Sequence, residues 1–343
     1  MKVTTGKVKQ LLLLTLCIII AGIVCVYHFV TYTPYGRIDF SSALILRLVN
    51  LSGDDRSAFD YQPEEFRRMM DDIILRSQGK LVSIDQVEDM TVPWSDREIP
   101  VRIYRPLPED NLPVILFLHG GGYVSGSLET HENFSRKLAN HTSTVVISVG
   151  YSLAPEAKFP TPVEEGYAVL QWIEQNAARL KINPGKIVVA GDSAGGTTAT
   201  ALSMMARDLN GPALALQVLF YPATNVSNFD TPSHNKFGKG YFLTQESMEW
   251  TKSLYFRSEE DAKHPYASPL LAESLTGMPP TLLFTAQFDP LSSEGAEYAQ
   301  KLTEAGNDCR LVQVKGVLHG FASTSSPKAK KAFQLISQKI SAL

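Results

Sequence analysis

The sequence predicts an α/β fold, a mainly parallel sheet with helices on both faces, carried behind one N-terminal membrane-spanning helix. Three observations predict it. Short apolar runs alternate with helical stretches along most of the chain. A 20-residue uncharged apolar run precedes them all. One later run ends in GDSAGG, Gly191 to Gly196, a serine among small residues where a strand pattern gives way to a helix pattern. The composition agrees: of 343 residues 44% are hydrophobic and 20% charged, enough for a large core and against disorder. A net charge of −3 leaves no basic footprint for nucleic acid.

Taken in order, the apolar run Leu11 to Val30 comes first (LLLLTLCIIIAGIVCVYHFV). As a helix it spans about 30 Å, the hydrocarbon thickness of a bilayer. It exceeds the apolar region of a cleaved signal peptide, and Tyr27-His28-Phe29 is no small-x-small cleavage site. An uncleaved anchor is expected. Lys2, Lys7 and Lys9 precede it and only Arg37 follows closely, so the positive-inside tendency keeps residues 1–10 cytoplasmic and sends the rest across the membrane. Two of the three cysteines, Cys17 and Cys25, lie in this run; Cys309 stands alone, so no disulfide framework and no thiol metal site is expected. Asn50-Leu51-Ser52, Asn140-His141-Thr142 and Asn225-Val226-Ser227 match the glycan acceptor pattern, which often arises by chance.

Residues from about 40 to 80 show helical spacing that closes at Gly79. Glu98 to Tyr104 reads as a strand paired with the stretch from Val87 to Trp94. VILFLH, TVVISVG, KIVVAG, LQVLFYP, TLLFTA and RLVQV follow, with helical stretches at Val163 to Ala178, Ala194 to Leu209, Glu294 to Ala305 and Lys328 to Ile340. Such apolar runs separated by helices imply a parallel sheet covered on both faces. The segment from Thr224 to about Pro269 breaks the rhythm and reads as an excursion from the sheet, with a helix near Gln245 to Phe256.

GDSAGG sits between the strand KIVVA and a helix, so its serine must make a sharp turn in a strained backbone conformation. Gly191, Ala194 and Gly195 provide the room, and Ser193 is held out at the carboxyl edge of the sheet, where such folds place their sites. A plain glycine-rich turn is the rival; a phosphate loop would want a lysine after the glycines, and Thr197-Thr198 follow instead. A serine hydroxyl needs a base, and the base needs an orienting group. Of seven histidines, His319 in GVLHGF alone follows the last strand on a small turn; His131 and His141 flank a surface helix, and His119 precedes the serine. Asp289 ends the strand TLLFTA, lies between serine and histidine in sequence, and is the candidate acid, whereas Asp192 adjoins the serine and should point elsewhere. The order serine, acid, histidine is that of a known triad arrangement.

HGGGYVSGS, His119 to Ser127, follows another strand and supplies backbone N–H groups without side chains in the way. Those of Gly121 and Gly122, with that of Ala194, could stabilise one anionic oxygen, with His119, Gly120, Gly191, Asp192 and Gly195 as the supporting motif residues. Gly120-Gly121-Gly122 with Gly126 does not have dinucleotide-loop spacing.

With HGGGYVSGS, YSLAPEAKFPTPVEE, GDSAGG, FDPL and LHGF in this order, the chain resembles the hormone-sensitive-lipase group of α/β-hydrolase esterases, which includes the membrane-anchored arylacetamide deacetylases. The likeness covers roughly residues 85 to 343. It implies an α/β-hydrolase catalytic domain there, a triad of Ser193, Asp289 and His319, an oxyanion hole at the HGGG glycines and Ala194, and a cap from residues 38–80 plus 224–268. Residues 31–84 would then be linker and N-terminal cap helices. Two departures stand out: Leu291-Ser292-Ser293-Glu294 lacks a second aspartate common in the group, and Ser152 replaces an arginine common there. The expected activity is cofactor-free and metal-free hydrolysis of short-to-medium-chain carboxylic esters. The expected partners are a small-molecule ester and, through residues 11–30, a lipid bilayer; monomer and homodimer stay open. Amides, lactones or longer lipids are alternative substrates. A binding protein on the same scaffold, like the gibberellin receptors that lost the base, and a membrane tether are alternative functions.

Overall fold

The computed structural model describes residues 5–51 and 57–343, so Lys2 and Ser52 of the first glycan pattern lie outside the described residues. The first helix, α1 (Thr5–Thr31), contains the whole apolar run, and its stretch Leu12–Thr31 is long and apolar enough to cross a membrane and is exposed from Leu12 to Phe29, only Val30 and Thr31 at its end being covered. A two-residue hairpin (Tyr32–Thr33 with Gly36–Arg37) leads to α2 (Phe40–Leu51). A third helix, α3 (Pro63–Ser77), begins at a proline whose missing N–H costs nothing at that position. The helical spacing of residues 40 to 80 is thus divided between two helices.

Eight strands form one sheet: β1 (Gln86–Trp94), β2 (Arg97–Arg105), β3 (Leu112–Leu118), β4 (Val145–Val149), β5 (Ile182–Asp192), β6 (Leu214–Phe220), β7 (Thr281–Phe288) and β8 (Cys309–Leu318). Their spatial order is β8-β7-β6-β5-β3-β4-β2-β1, with only β2 antiparallel to its neighbours β1 and β4. Helices α4 (Glu132–Thr142), α5 (Thr161–Gln175) and α6 (Ala194–Asp208) link β3 through β6; α10 (Ser292–Glu304) and α11 (Pro327–Ser341) follow β7 and β8. Between β6 and β7 the excursion carries α7 (Pro232–Phe237), α8 (Gln245–Tyr255, opened by a Thr244–Ser247 capping box) and α9 (Glu259–Lys263).

The continuous apolar runs of the central strands follow from burial on both faces. Val114, Leu116 and Leu118 of β3 join a core with α5, α6 and α10, while Ile115 and Phe117 join another with Phe134 and Leu138 of α4 and Phe333 and Ile336 of α11. Successive side chains of a strand point to opposite faces, so both must be apolar. Winding reverses between β3 and β5, which are neighbours in the sheet, and their carboxyl ends meet where Leu118 pairs with Gly191. A crevice at such a reversal is where sites assemble. A smaller apolar cluster lies at the β7–β8 edge: Ile38 and Ala43, just after α1, are buried with Phe237, Phe288 and Leu318.

Candidate active site

Since β5 ends at Asp192 and α6 begins at Ala194, Ser193 makes the whole turn alone, at φ +53° and ψ −125°. Backbone of this kind costs about 1–3 kcal/mol and persists only where the surroundings over-determine it. They do so here. A Cβ on Gly191 would fall 2.1 Å from the Gly195 carbonyl oxygen, and one on Gly195 would fall 2.1 Å from that of Leu118. The Ser193 N–H donates to the Phe220 carbonyl on β6 at 2.9 Å, locking the turn against the next strand.

The structure brings the three predicted residues together. His319 Nε2 lies 2.9 Å from Ser193 Oγ, and His319 Nδ1 lies 2.8 Å from Asp289 Oδ2. Asp289 is fully buried; its other oxygen accepts the Leu291 N–H at 2.9 Å. Tyr221, on the turn after β6, sets its ring 4.7 Å from the imidazole of His319. The acid and the histidine come from loops just after β7 and β8, so the adjacency of those strands with β6 and β5 creates the cluster.

The glycine-rich loop after β3 lies beside the serine. Gly121 has φ +123° and a Cβ there would fall 2.1 Å from the Ser125 carbonyl oxygen; Gly122 has φ +62°. The Gly121 carbonyl accepts the N–H groups of Val124 and Ser125, which folds the loop into a tight turn. Among the described residues no acceptor takes the N–H of Gly121, Gly122 or Ala194. The supporting residues hold the loop. Asp192 turns away from the cluster of Ser193, His319 and Asp289: its Oδ1 accepts the Gly120 N–H at 2.8 Å and lies 3.5 Å from His131 Nε2. Burial pushes the Asp192 carboxyl up, but the His131 charge and hydrogen bond and the Gly120 N–H outweigh it and leave it below its ordinary value. His119 is buried, donates from Nδ1 to the Gly120 carbonyl at 2.8 Å, and stacks on Tyr151 at 4.2 Å. Burial, helped by repulsion from His131, lowers its pKa to about 3, so it is a neutral packing group.

The excursion and α3 close over these loops. A Cβ on Gly122 would meet the Thr251 methyl carbon of α8 at 3.0 Å, and one on Gly320 would meet Phe242 at 3.9 Å. Phe66 of α3 packs on Trp250 of α8 at 4.8 Å. Arg67 of α3 donates to the Val124 carbonyl at 2.7 Å, to the Ala154 carbonyl at 2.5 Å and to Glu156 at 2.8 Å.

Several contributors were not legible in the sequence. His131 reads as flanking a surface helix, yet it is buried against Asp192. Glu294 does lie in the helix after Asp289, but its buried carboxylate accepts the N–H groups of Thr224 at 2.7 Å and Asn225 at 3.2 Å, fixing the start of the excursion. Burial raises its pKa to about 8 despite those two donors, and the charge of Asp289 adds to the effect. Its second oxygen has no hydrogen-bond partner among the described residues and lies 4.0 Å from Nε2 of buried His234. Ser152 donates its N–H and its hydroxyl to Glu165, and Arg97 lies 3.6 Å from the same carboxylate.

A serine presented on a strand-to-helix turn, with histidine and acid on loops after later parallel strands, is the layout of the α/β-hydrolase class. A family model described as an alpha/beta hydrolase fold matches residues 115–323, and the chain belongs to that family. Within it the chain is one of the hormone-sensitive-lipase group of esterases. A carboxylic ester hydrolase of Mycobacterium tuberculosis, LipN, is 37% identical over 292 residues, 83% of this chain and 77% of that protein. An arylesterase of Saccharolobus solfataricus is 36% identical over 272 residues, 79% of this chain and 87% of the other. Among solved structures, a hyperthermophilic esterase from the archaeon Pyrobaculum calidifontis superposes with a TM-score of 0.82 at 38% identity, covering 87% of this chain and 96% of that one.

Proposed function

We propose that the chain is a membrane-anchored serine carboxylesterase acting on short-to-medium-chain acyl esters, with Ser193 as nucleophile, His319 as base and Asp289 as the group that orients it. The observation that carries this reading is the relay of 2.8 and 2.9 Å contacts from Asp289 through His319 to Ser193, beside three N–H groups with no acceptor among the described residues. The carboxylate of Asp289 accepts a hydrogen bond from Nδ1–H of His319 and so fixes the tautomer, leaving Nε2 as an acceptor facing the serine hydroxyl. As Ser193 Oγ bonds to the ester carbonyl carbon, its proton passes to His319 Nε2, and the carbonyl oxygen becomes anionic against the N–H groups of Gly121, Gly122 and Ala194. The carbon–alkoxy bond then breaks, and the leaving alcohol takes that proton from His319. Water repeats the sequence on the acyl-serine and releases the acid. A base in contact with the serine favours this over the binding-only role of a scaffold that has lost it.

The named relatives, a carboxylic ester hydrolase and an arylesterase, support the ester class, and another relative is an ethyl acetate hydrolase of Pseudomonas putida. The helix Leu12–Thr31 supports a single-pass anchor, and the lysines before it support a cytoplasmic N-terminus with the hydrolase on the other side. Ser193→Ala is expected to fold normally and to lose p-nitrophenyl acetate and butyrate hydrolysis together with fluorophosphonate labelling. A variant that retained most of its turnover would overturn the assignment.

A further inference from the structure

The stretch between α1 and the hydrolase core is unusually rich in uncovered apolar side chains. Tyr32, Tyr35, Phe40, Leu44 and Ile45 are exposed, five within residues 32–47, whereas residues 57–343 carry ten large exposed apolar side chains in all. The helix α2 (FSSALILRLVNL) is apolar on nearly every side, a pattern that belongs to a helix buried all round. Yet among its described side chains protein covers only one side. Ala43 is buried and Leu46 partly buried against the cluster of Phe237, Phe288 and Leu318, while Phe40, Leu44 and Ile45 are not covered. Something outside the chain must meet the other side.

The depth of that side relative to α1 identifies what it meets. Phe40 stacks on Tyr27 at 6.0 Å, and the Arg47 guanidinium lies 5.1 Å over the Phe29 ring while donating to the Phe29 carbonyl at 3.2 Å. Tyr27 lies four residues before the end of α1, so Phe40 sits about 6 Å inside that end along the axis. If α1 spans a bilayer, α2 cannot stand clear of it. We infer that residues 32–47 form a docking face that lies in the membrane interface, with Phe40, Leu44 and Ile45 among the acyl chains and Arg37 and Arg47 at the headgroups. This rests on the anchor reading given above and specifies how the catalytic domain sits on that anchor.

The residue types and their order fit an interface. Tyr27, Tyr32 and Tyr35 make an aromatic belt at the end of the span, and apolar faces of interfacial helices enter about 5–10 Å. Arg37 and Arg47 have long stems that let the charge reach phosphate while the carbon chain stays in apolar surroundings. An apolar groove of about 370 Å³ between α1 and α2, walled by Val30, Ile38, Ala43 and Leu46, is left for lipid chains to fill. The consequence for catalysis is positional. On the covered side, Ile38 and Ala43 bury against Phe288 and Leu318, the residues immediately before Asp289 and His319. The Asp39 N–H donates to the Gly316 carbonyl at 2.8 Å and its carboxylate takes Lys328 at 2.7 Å. The acid and histidine loops therefore rest on the segment that meets the lipid, and the active-site end of the sheet is turned toward the bilayer, where apolar esters concentrate.

The test uses the full chain in phosphatidylcholine vesicles, with Cys17, Cys25 and Cys309 replaced by alanine. Single cysteines carrying the environment-sensitive fluorophore NBD are placed at Leu44→Cys, Ile45→Cys, Ile20→Cys in mid-span, and Leu209→Cys at the far end of α6. The expected result is a blue-shifted emission, quenched by brominated acyl chains, at positions 20, 44 and 45, and a water-like, unquenched signal at 209. A quenched signal at 20 with water-like signals at 44 and 45 would refute the docking face while leaving the anchor intact. Blue-shifted but unquenched signals at 44 and 45 would mean that protein, such as a second copy of the chain, covers the face, and would refute it too. An unquenched signal at 20 would bring down the anchor reading and the docking face with it.

Discussion

Gly195→Ala probes how the serine turn and the glycine-rich loop share space. The new Cβ would fall 2.1 Å from the Leu118 carbonyl oxygen and 2.5 Å from that of His119, where ordinary contact begins at 3.4 Å, a shortfall of 1.3 Å on the closer atom. Both neighbours are backbone and cannot rotate away. Either the start of α6 or the end of β3 must move by about an ångström, and the end of β3 leads directly into Gly120, Gly121 and Gly122. The displacement therefore separates the Ala194 N–H from those of Gly121 and Gly122. Loss of one such donor elsewhere costs about 2.7–4 kcal/mol, or 10²–10³ in turnover. The overpacking itself costs about 1–3 kcal/mol of stability. We expect kcat on p-nitrophenyl butyrate to fall by about 10²-fold with KM little changed, while a urea melt shows the protein still folded. Gly196→Ala is the control: its Cβ would meet Pro222 Cβ at 3.1 Å, the Gly191 carbonyl oxygen at 3.2 Å and Pro222 Cα at 3.3 Å, each only a few tenths short of ordinary contact, and its turnover should stay far closer to that of the unmodified enzyme. Equal, small effects at both positions would refute the argument that close approach of the two backbones builds the site.

Three further outcomes follow from the same geometry. Asp289→Asn keeps the acceptor for the Leu291 N–H but sets an amide NH₂ against His319 Nδ1; the imidazole must adopt the other tautomer, and kcat should drop by about 10⁴ with an unchanged melting temperature. Arg67→Ala removes the hydrogen bonds from α3 to Val124, Ala154 and Glu156, and should cost about 2 kcal/mol, seen as faster hydrogen exchange in α3 and a raised KM; unchanged exchange would show that Phe66 on Trp250 suffices. Glu294 keeps its proton up to about 8 in the folded state against an ordinary value of 4.5, so between those values the folded chain binds a proton that the unfolded chain does not, and stability falls as pH rises through that window. Glu294→Gln retains an oxygen for the Thr224 and Asn225 N–H groups and should flatten that decline in urea midpoints; a decline of the same size in the variant would assign it to another group.

What the sequence determined by itself was everything local in the chain. Short continuous apolar runs and their helical spacers specify a parallel sheet, a long uncharged run specifies α1, and glycines at 191, 195, 121 and 122 mark backbone that no side chain could share. Ser193, Asp289 and His319 were legible because each sits at the end of a strand pattern, in an order that such sheets impose. Arrangement across the chain was decided only by the tertiary structure. His131 finds its partner in Asp192, 61 positions on, and Glu294 finds its own at Thr224 and Asn225, about 70 positions back, since burial makes an unpaired polar group costly whatever its sequence neighbours. The seating of Ile38 and Ala43 under Phe288 and Leu318 is of the same kind. Apolar residues in a linker reveal that they will be covered, and only the packed chain shows which face another strand takes and which is left for something outside it.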